Sequence, residues 1–69
     1  MFNKRLFKAQ VVLKGKTLRE VAKILKIDEA TLYRKMNGDS DFYRNEIQTL
    51  CRFLEIENPT EIFFADEIA

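Results

Sequence analysis

At 69 residues, 46% of them hydrophobic and 33% charged, the chain has room for one folded unit, expected to span residues 1–69, and too much apolar content for wholesale disorder. Its longest apolar run, Ile62-Phe63-Phe64-Ala65, is far short of a membrane span, and a lone Cys51 with no histidine excludes an internal disulfide and the usual zinc or haem sites. The net charge of +1 hides a division: ten of the twelve Lys/Arg fall in residues 1–36 and eight of the eleven Asp/Glu in residues 37–69, so a basic half suits a polyanion and an acidic half avoids one.

Phe2, Leu6, Ala9 and Leu13 recur at helical spacing. They predict a helix from Phe2 to Lys14 with those four on its buried face and Phe7 and Val12 widening the stripe. Gly15 follows where a helix end wants positive φ. Thr17 and Glu20 have the spacing of a capping box, opening a second helix whose apolar stripe is Leu18, Val21, Ala22 and Leu25. Lys26-Ile27-Asp28 interrupts that pattern. Asp28 is a good N-cap, and Glu29 adds negative charge in the first turn, where the helix dipole favours it. A third helix therefore runs from Glu29 to Met36 and closes at Asn37-Gly38. Asn-Gly is also a hairpin signal, but its flanks do not alternate apolar and polar residues, so a helix end is the preferred reading. A fourth helix spans Arg44 to Leu54, with Ile47, Leu50, Cys51 and Leu54 on one face. Phe42 and Ile47 stand at the spacing of a hydrophobic staple, Glu46 is the third helical residue, and Tyr43 is a poor N-cap. Asn58-Pro59 starts a short fifth helix, with proline at the first helical position. The fold class expected is all-α, a compact bundle of five short helices. Cys51 reads as a small apolar side chain of that bundle and not as a nucleophile.

The stretch Thr17 to Gly38, TLREVAKILKIDEATLYRKMNG, is the informative one. Two short helices are joined by a tight turn. The small Ala22 stands where they cross, and Ile27 and Leu32 fill the wedge between them, which describes a helix-turn-helix. On these residues the chain resembles the lambda-repressor-like helix-turn-helix family of phage Cro and repressor proteins. The resemblance runs along essentially the whole chain. Its marks are Ala22, Ile27, Thr31-Leu32-Tyr33-Arg34 and Asn37-Gly38, then a fourth helix and a short last helix ending in apolar residues. It implies sequence-specific binding to double-stranded DNA, usually as a dimer on an inverted repeat, in the service of transcription regulation. The chain departs from the family pattern at three places. Leu18 stands where Gln is usual, Lys26 where the turn usually has Gly, and Asp28-Glu29 where a Ser and a polar or basic residue are common. Lys26 is accordingly expected in the left-handed region.

At about 100° per residue, Leu32 and Met36 share the core side of the third helix, while Tyr33, Asn37, Ala30 and Arg34 cover the opposite arc. With Glu29 at the start, these five are the candidate base contacts of a recognition helix spanning residues 29–36 and lying in the major groove. Arg34 suits a bidentate contact to guanine O6 and N7. Tyr33 and Ala30 offer apolar contact to a thymine methyl, and Glu29 can accept from a cytosine amino group. Candidate phosphate contacts are Lys16, Thr17 and Arg19 at the start of the second helix, whose free N–H groups favour phosphate, and Arg44 and Asn45 at the start of the fourth.

A competing reading is a protein-interaction module on the same fold that binds a regulator or polymerase subunit. The acidic half and the Asp28-Glu29 pair favour it. An enzyme is not expected, because the chain holds no nucleophile–base pair, metal cluster or glycine-rich phosphate loop, and neither is a cofactor, metal or small-molecule substrate. No apolar stretch follows the basic start Met1-Phe2-Asn3-Lys4-Arg5, so no signal peptide or membrane partner is expected and the setting reads as cytoplasmic. Ile62, Phe63 and Phe64 span about 200° of one short helix, more than a single buried face accepts. Ile62 and one phenylalanine are expected in the core against Phe2, Leu6 and Leu13. The other, Phe63 or Phe64, is left for a weak homodimer through the C-terminal helix.

Overall fold

A computed structural model describes residues 2–65. They form five helices and, among the described residues, no strand: α1 Lys4–Leu13, α2 Leu18–Leu25, α3 Glu29–Met36, α4 Arg44–Phe53 and α5 Pro59–Phe63. The helix starts follow local chemistry. Asn3 Oδ1 accepts from the Leu6 N–H at 3.0 Å, and Asp28 Oδ1 accepts from the Thr31 N–H at 2.7 Å. Thr17 and Glu20 complete a capping box: Thr17 Oγ1 accepts from the Glu20 N–H at 3.1 Å, and Glu20 Oε1 accepts from the Thr17 N–H at 3.0 Å. At α4 only half of such a box forms. Glu46 Oε1 accepts from the Tyr43 N–H at 2.8 Å, while the Tyr43 side chain makes no cap hydrogen bond.

The first four helices end alike. Each runs into a residue of positive φ, and the following N–H reaches back five residues to a carbonyl that would otherwise be unpaired. The bonds are Lys16 N–H to Val11 O (3.0 Å), Ile27 N–H to Ala22 O (3.1 Å), Asp39 N–H to Arg34 O (2.9 Å) and Ile56 N–H to Cys51 O (3.0 Å). Gly15 (φ +68°) and Gly38 (φ +90°) supply two of the turning residues, and Lys26 (φ +60°) and Glu55 (φ +50°) supply the others. The Asn37-Gly38 pair thus ends a helix, as its flanks implied, and Lys26 has the left-handed backbone that a turn position normally given to glycine predicts. That conformation costs an L-residue about 1–2 kcal/mol, partly offset by the extra freedom glycine gives the unfolded chain. Lys26→Gly should therefore raise stability by up to about 1 kcal/mol, read as a higher urea midpoint at unchanged slope. A lowered midpoint would mean that the lysine side chain contributes contacts outweighing its backbone strain.

The core consists of Phe7, Val11, Val21, Ala22, Leu32, Met36, Leu50, Leu54, Ile56, Ile62 and Phe63. Four phenylalanines, Phe2, Phe7, Phe42 and Phe63, meet with ring centroids 4.8–6.4 Å apart and tie the chain start, α1, the α3–α4 loop and α5 together. That cluster corrects the phase expected for α1. Apolar residues lie on two sides of this helix, and the aromatic side is the one buried. Phe7 and Val11 face inward, whereas Leu6, Ala9, Val12 and Leu13 are exposed, Leu13 by 73%. Phe2 packs on the core from just before the helix and not within it. At the other end Ile62 and Phe63 are the buried pair and Phe64 the one left out, 40% exposed. Phe63 meets Phe2 as expected, but the exposed Leu6 and Leu13 do not receive it as core residues. Gln10 Nε2 donates to Leu54 O at 2.7 Å, holding the end of α4 against α1. Cys51 is half-buried on α4, and burial pushes its thiol up, so it stays protonated near neutral pH.

Candidate nucleic-acid interface

The helix-turn-helix is α2 and α3, and its wedge is apolar. Val21, Ala22 and Leu32 are buried, with Leu18, Leu25 and Ile27 packed against them. Leu18, standing where the family pattern has Gln, is thus spent on packing. On α3 the buried side is Leu32, Lys35 and Met36, the opposite side carries Ala30, Tyr33, Arg34 and Asn37, and Glu29 stands in the first turn, all five exposed. Tyr33, Asn37, Ala30 and Arg34 therefore share one solvent arc, as the helical angles require, and Glu29 is exposed in the first turn on the Met36 side of that arc.

Their chemistry is not uniform along that face. At the start of α3, Asp28 has its carboxylate engaged. The Thr31 side chain and N–H beside it, with the Arg34 charge nearby, hold it below its ordinary value of 3.8, and the N–H donates to it at 2.7 Å. Glu29 is the remaining acid there and is exposed. Arg34 Nη2 donates to Thr31 Oγ1 at 3.3 Å, one turn earlier. At the far end Asn37 Oδ1 accepts from Lys4 Nζ at 2.7 Å, so part of its amide is occupied by α1. Lys4 is therefore a cation at the recognition face that reading the sequence missed. Nothing local links residues 33 apart, and only the docking of α1 on the motif brings them together.

Lys35 is the larger surprise. Counted with the basic half, it is buried, 5% exposed, with Nζ 3.1 Å from Glu46 Oε1 and donating to Asp41 O at 2.9 Å. The ammonium also lies 4.1 Å from the Tyr43 ring centroid, an attraction between cation and ring face. Its charge is consumed inside the protein. What it provides is a clamp from the end of α3 to the first turn of α4, where Arg44 and Asn45 are exposed. Two of the candidate phosphate contacts are thereby carried beside the recognition helix.

The other three stand at the start of α2. Arg19 is exposed. Lys16 is half-buried, with its Nζ 5.0 Å from the Phe53 ring centroid on α4. Thr17 has both its hydroxyl oxygen and its N–H committed to the capping box with Glu20. Its side chain therefore offers phosphate only the hydroxyl hydrogen, and the Glu20 carboxylate weakens the field of this helix end. Lys16 and Arg19 are the stronger members of the group. Among the described residues there is no cluster of metal-ligating side chains and no helix long and apolar enough to cross a membrane.

The family of the Cro/C1-type HTH DNA-binding domain matches residues 11–65, which takes in the motif, both flanking loops, α4 and α5. No curated protein and no solved structure matches the chain.

Proposed function

The chain belongs to the Cro/C1-type HTH DNA-binding family, and from that premise we propose that it is a sequence-specific regulator of transcription of the phage or prophage repressor and Cro kind, working in the cytoplasm with α3 in the major groove of double-stranded DNA. The observation that carries the reading is the exposed arc of α3 that presents Tyr33, Arg34 and Ala30 opposite the buried Leu32 and Met36. In this reading Arg34 reads a guanine, Tyr33 and Ala30 meet thymine methyls, Glu29 accepts from a cytosine and Asn37 closes the row. Lys16, Thr17, Arg19, Arg44 and Asn45 grip the phosphates on either side.

Titration of the protein against a pool of randomised duplexes at two salt concentrations tests this. One enriched sequence class, bound more weakly as salt rises, is the expected result; binding without base preference would defeat it. Lys16→Ala should weaken every sequence alike and flatten the dependence of log K on log salt by about one unit, because one released counterion is lost with each phosphate contact. The competing reading, a protein partner, draws on the acids at the start of α3. Asp28 is engaged there as the N-cap, which leaves Glu29 and the acidic half of the chain as its support. An unchanged salt slope and no DNA enrichment would favour it.

Dimerisation on an inverted repeat would set two recognition helices about 34 Å apart. Of the two aromatic residues from which a C-terminal seam is expected to take one, Phe63 is buried, which leaves Phe64. One half-exposed ring makes a weak dimer that DNA reinforces. Sedimentation should show Phe64→Ser binding one protein per half-site without the concentration-dependent dimer of the wild type. A wild type that stays monomeric at every concentration, with and without DNA, would end the proposal.

A further inference from the structure

Asp28, Thr31 and Arg34 are spaced by three residues and so lie one above another on α3. The Asp28 carboxylate accepts from the Thr31 N–H at 2.7 Å, and the Thr31 hydroxyl oxygen accepts from Arg34 Nη2 at 3.3 Å. A threonine hydroxyl has one hydrogen to give and lone pairs to receive, so it can serve both neighbours at once. With the Asp28 carboxylate fixed on the Thr31 backbone N–H, a hydroxyl hydrogen turned toward that negative charge leaves the lone pairs for the guanidinium. We propose that Thr31, held by Asp28, is the positioning residue that makes Arg34 a base reader. This rests on the assignment of Arg34 above.

The physical need is clear from where Arg34 stands. It begins six residues into a motif helix whose N-terminal residues are the ones that reach base edges. A helical side chain leans toward the preceding turn, and the Thr31 oxygen holds the guanidinium there. The fork is then presented at the reading end of α3 with part of its large rotamer entropy already lost, so less is lost on meeting guanine. An untethered arginine at this position would have equal access to the phosphates beside the groove, a contact without sequence information. In this arrangement Asp28 caps the helix and repels phosphate little, because its carboxylate is turned onto the Thr31 N–H. That gives a role to an acid standing where the family pattern has a neutral residue.

The test is a double-mutant cycle read as base preference, with the duplex pool enriched by the wild type as the probe. Thr31→Val removes the hydroxyl at nearly constant volume and keeps the backbone N–H that Asp28 caps. It should reduce discrimination at the base pair read by Arg34 by about three- to tenfold, the worth of one hydrogen bond. Thr31→Ser, which restores the oxygen, should recover most of it. In the Arg34→Ala background Thr31→Val should change preference no further. Thermal midpoints of all variants separate this from loss of structure. Unchanged preference in Thr31→Val, or an equal loss with and without Arg34, would overturn the proposal, the second outcome marking Thr31 as a DNA contact itself. If Arg34→Ala alone leaves base preference intact, the Arg34 assignment fails first and the positioning role falls with it.

Discussion

Lys35→Ala should cost about 3–5 kcal/mol of stability, the usual effect of removing one partner from a buried ion pair. The ammonium is packed against Glu46 Oε1 at 3.1 Å, Asp41 O at 2.9 Å and the Tyr43 ring, with both charged side chains under a tenth exposed. Its loss leaves the Glu46 carboxylate desolvated with only the Tyr43 N–H to satisfy it. A protein of this size has in total about 3–10 kcal/mol, so the variant should be largely unfolded at 25 °C in the absence of DNA. Urea denaturation followed by circular dichroism measures it. Lys35→Met combined with Glu46→Leu should recover much of the loss, because neither charge is then stranded. A single mutant within about 1 kcal/mol of wild type would show that the pair behaves as a solvated surface bridge.

Arg34→Ala should weaken binding to the enriched site by about 1–3 kcal/mol and relax preference at one base position, leaving non-specific affinity nearly unchanged. The residue is exposed on the solvent side of α3 and its one side-chain hydrogen bond runs from the guanidinium to a partly exposed hydroxyl, so the fold should survive its removal. Competition of the enriched duplex against single-base variants is the measurement. A uniform loss across all variants would move Arg34 into the phosphate class with Lys16 and empty the proposed code of its strongest letter.

The parts of the fold legible in the amino acids are those whose cause is local. Asn58-Pro59, Thr17 with Glu20, Asp28, Gly15 and Asn37-Gly38 bound their helices where they were expected to, and the face of α3 followed from helical angle alone. The left-handed Lys26 was predictable because the turn geometry requires it whatever the residue. Glu55 adopts the same conformation with no comparable signal, since nothing in Leu54-Glu55-Ile56 announces a turn. Its position follows from Ile56 entering the core.

The candidate site divides in the same way. Which residues face solvent on α3 is a matter of period, but what each one touches depends on helices distant in sequence. Asn37 is partly occupied by Lys4, 33 residues away, and Lys35 leaves the basic surface because α4 brings Glu46 under it. A count of charges along the chain treats Lys35 as available to DNA; desolvation and a buried carboxylate make it structural.

By itself, the sequence determined five short helices, the caps of the second and third, the helix-turn-helix and the family, all through interactions spanning three to five residues or one helical period. Only the tertiary structure decided which side of α1 is buried, which of Phe63 and Phe64 is covered, and which lysine stays at the surface. Those choices compare burials of similar size. Leu6 and Leu13 compete with Phe7 and Val11 for one core, and four phenylalanine rings from four separate segments settle it by packing together. Hydrophobic burial has no direction and no range along the chain, so a helix can announce an apolar stripe without revealing whether the rest of the molecule will cover it.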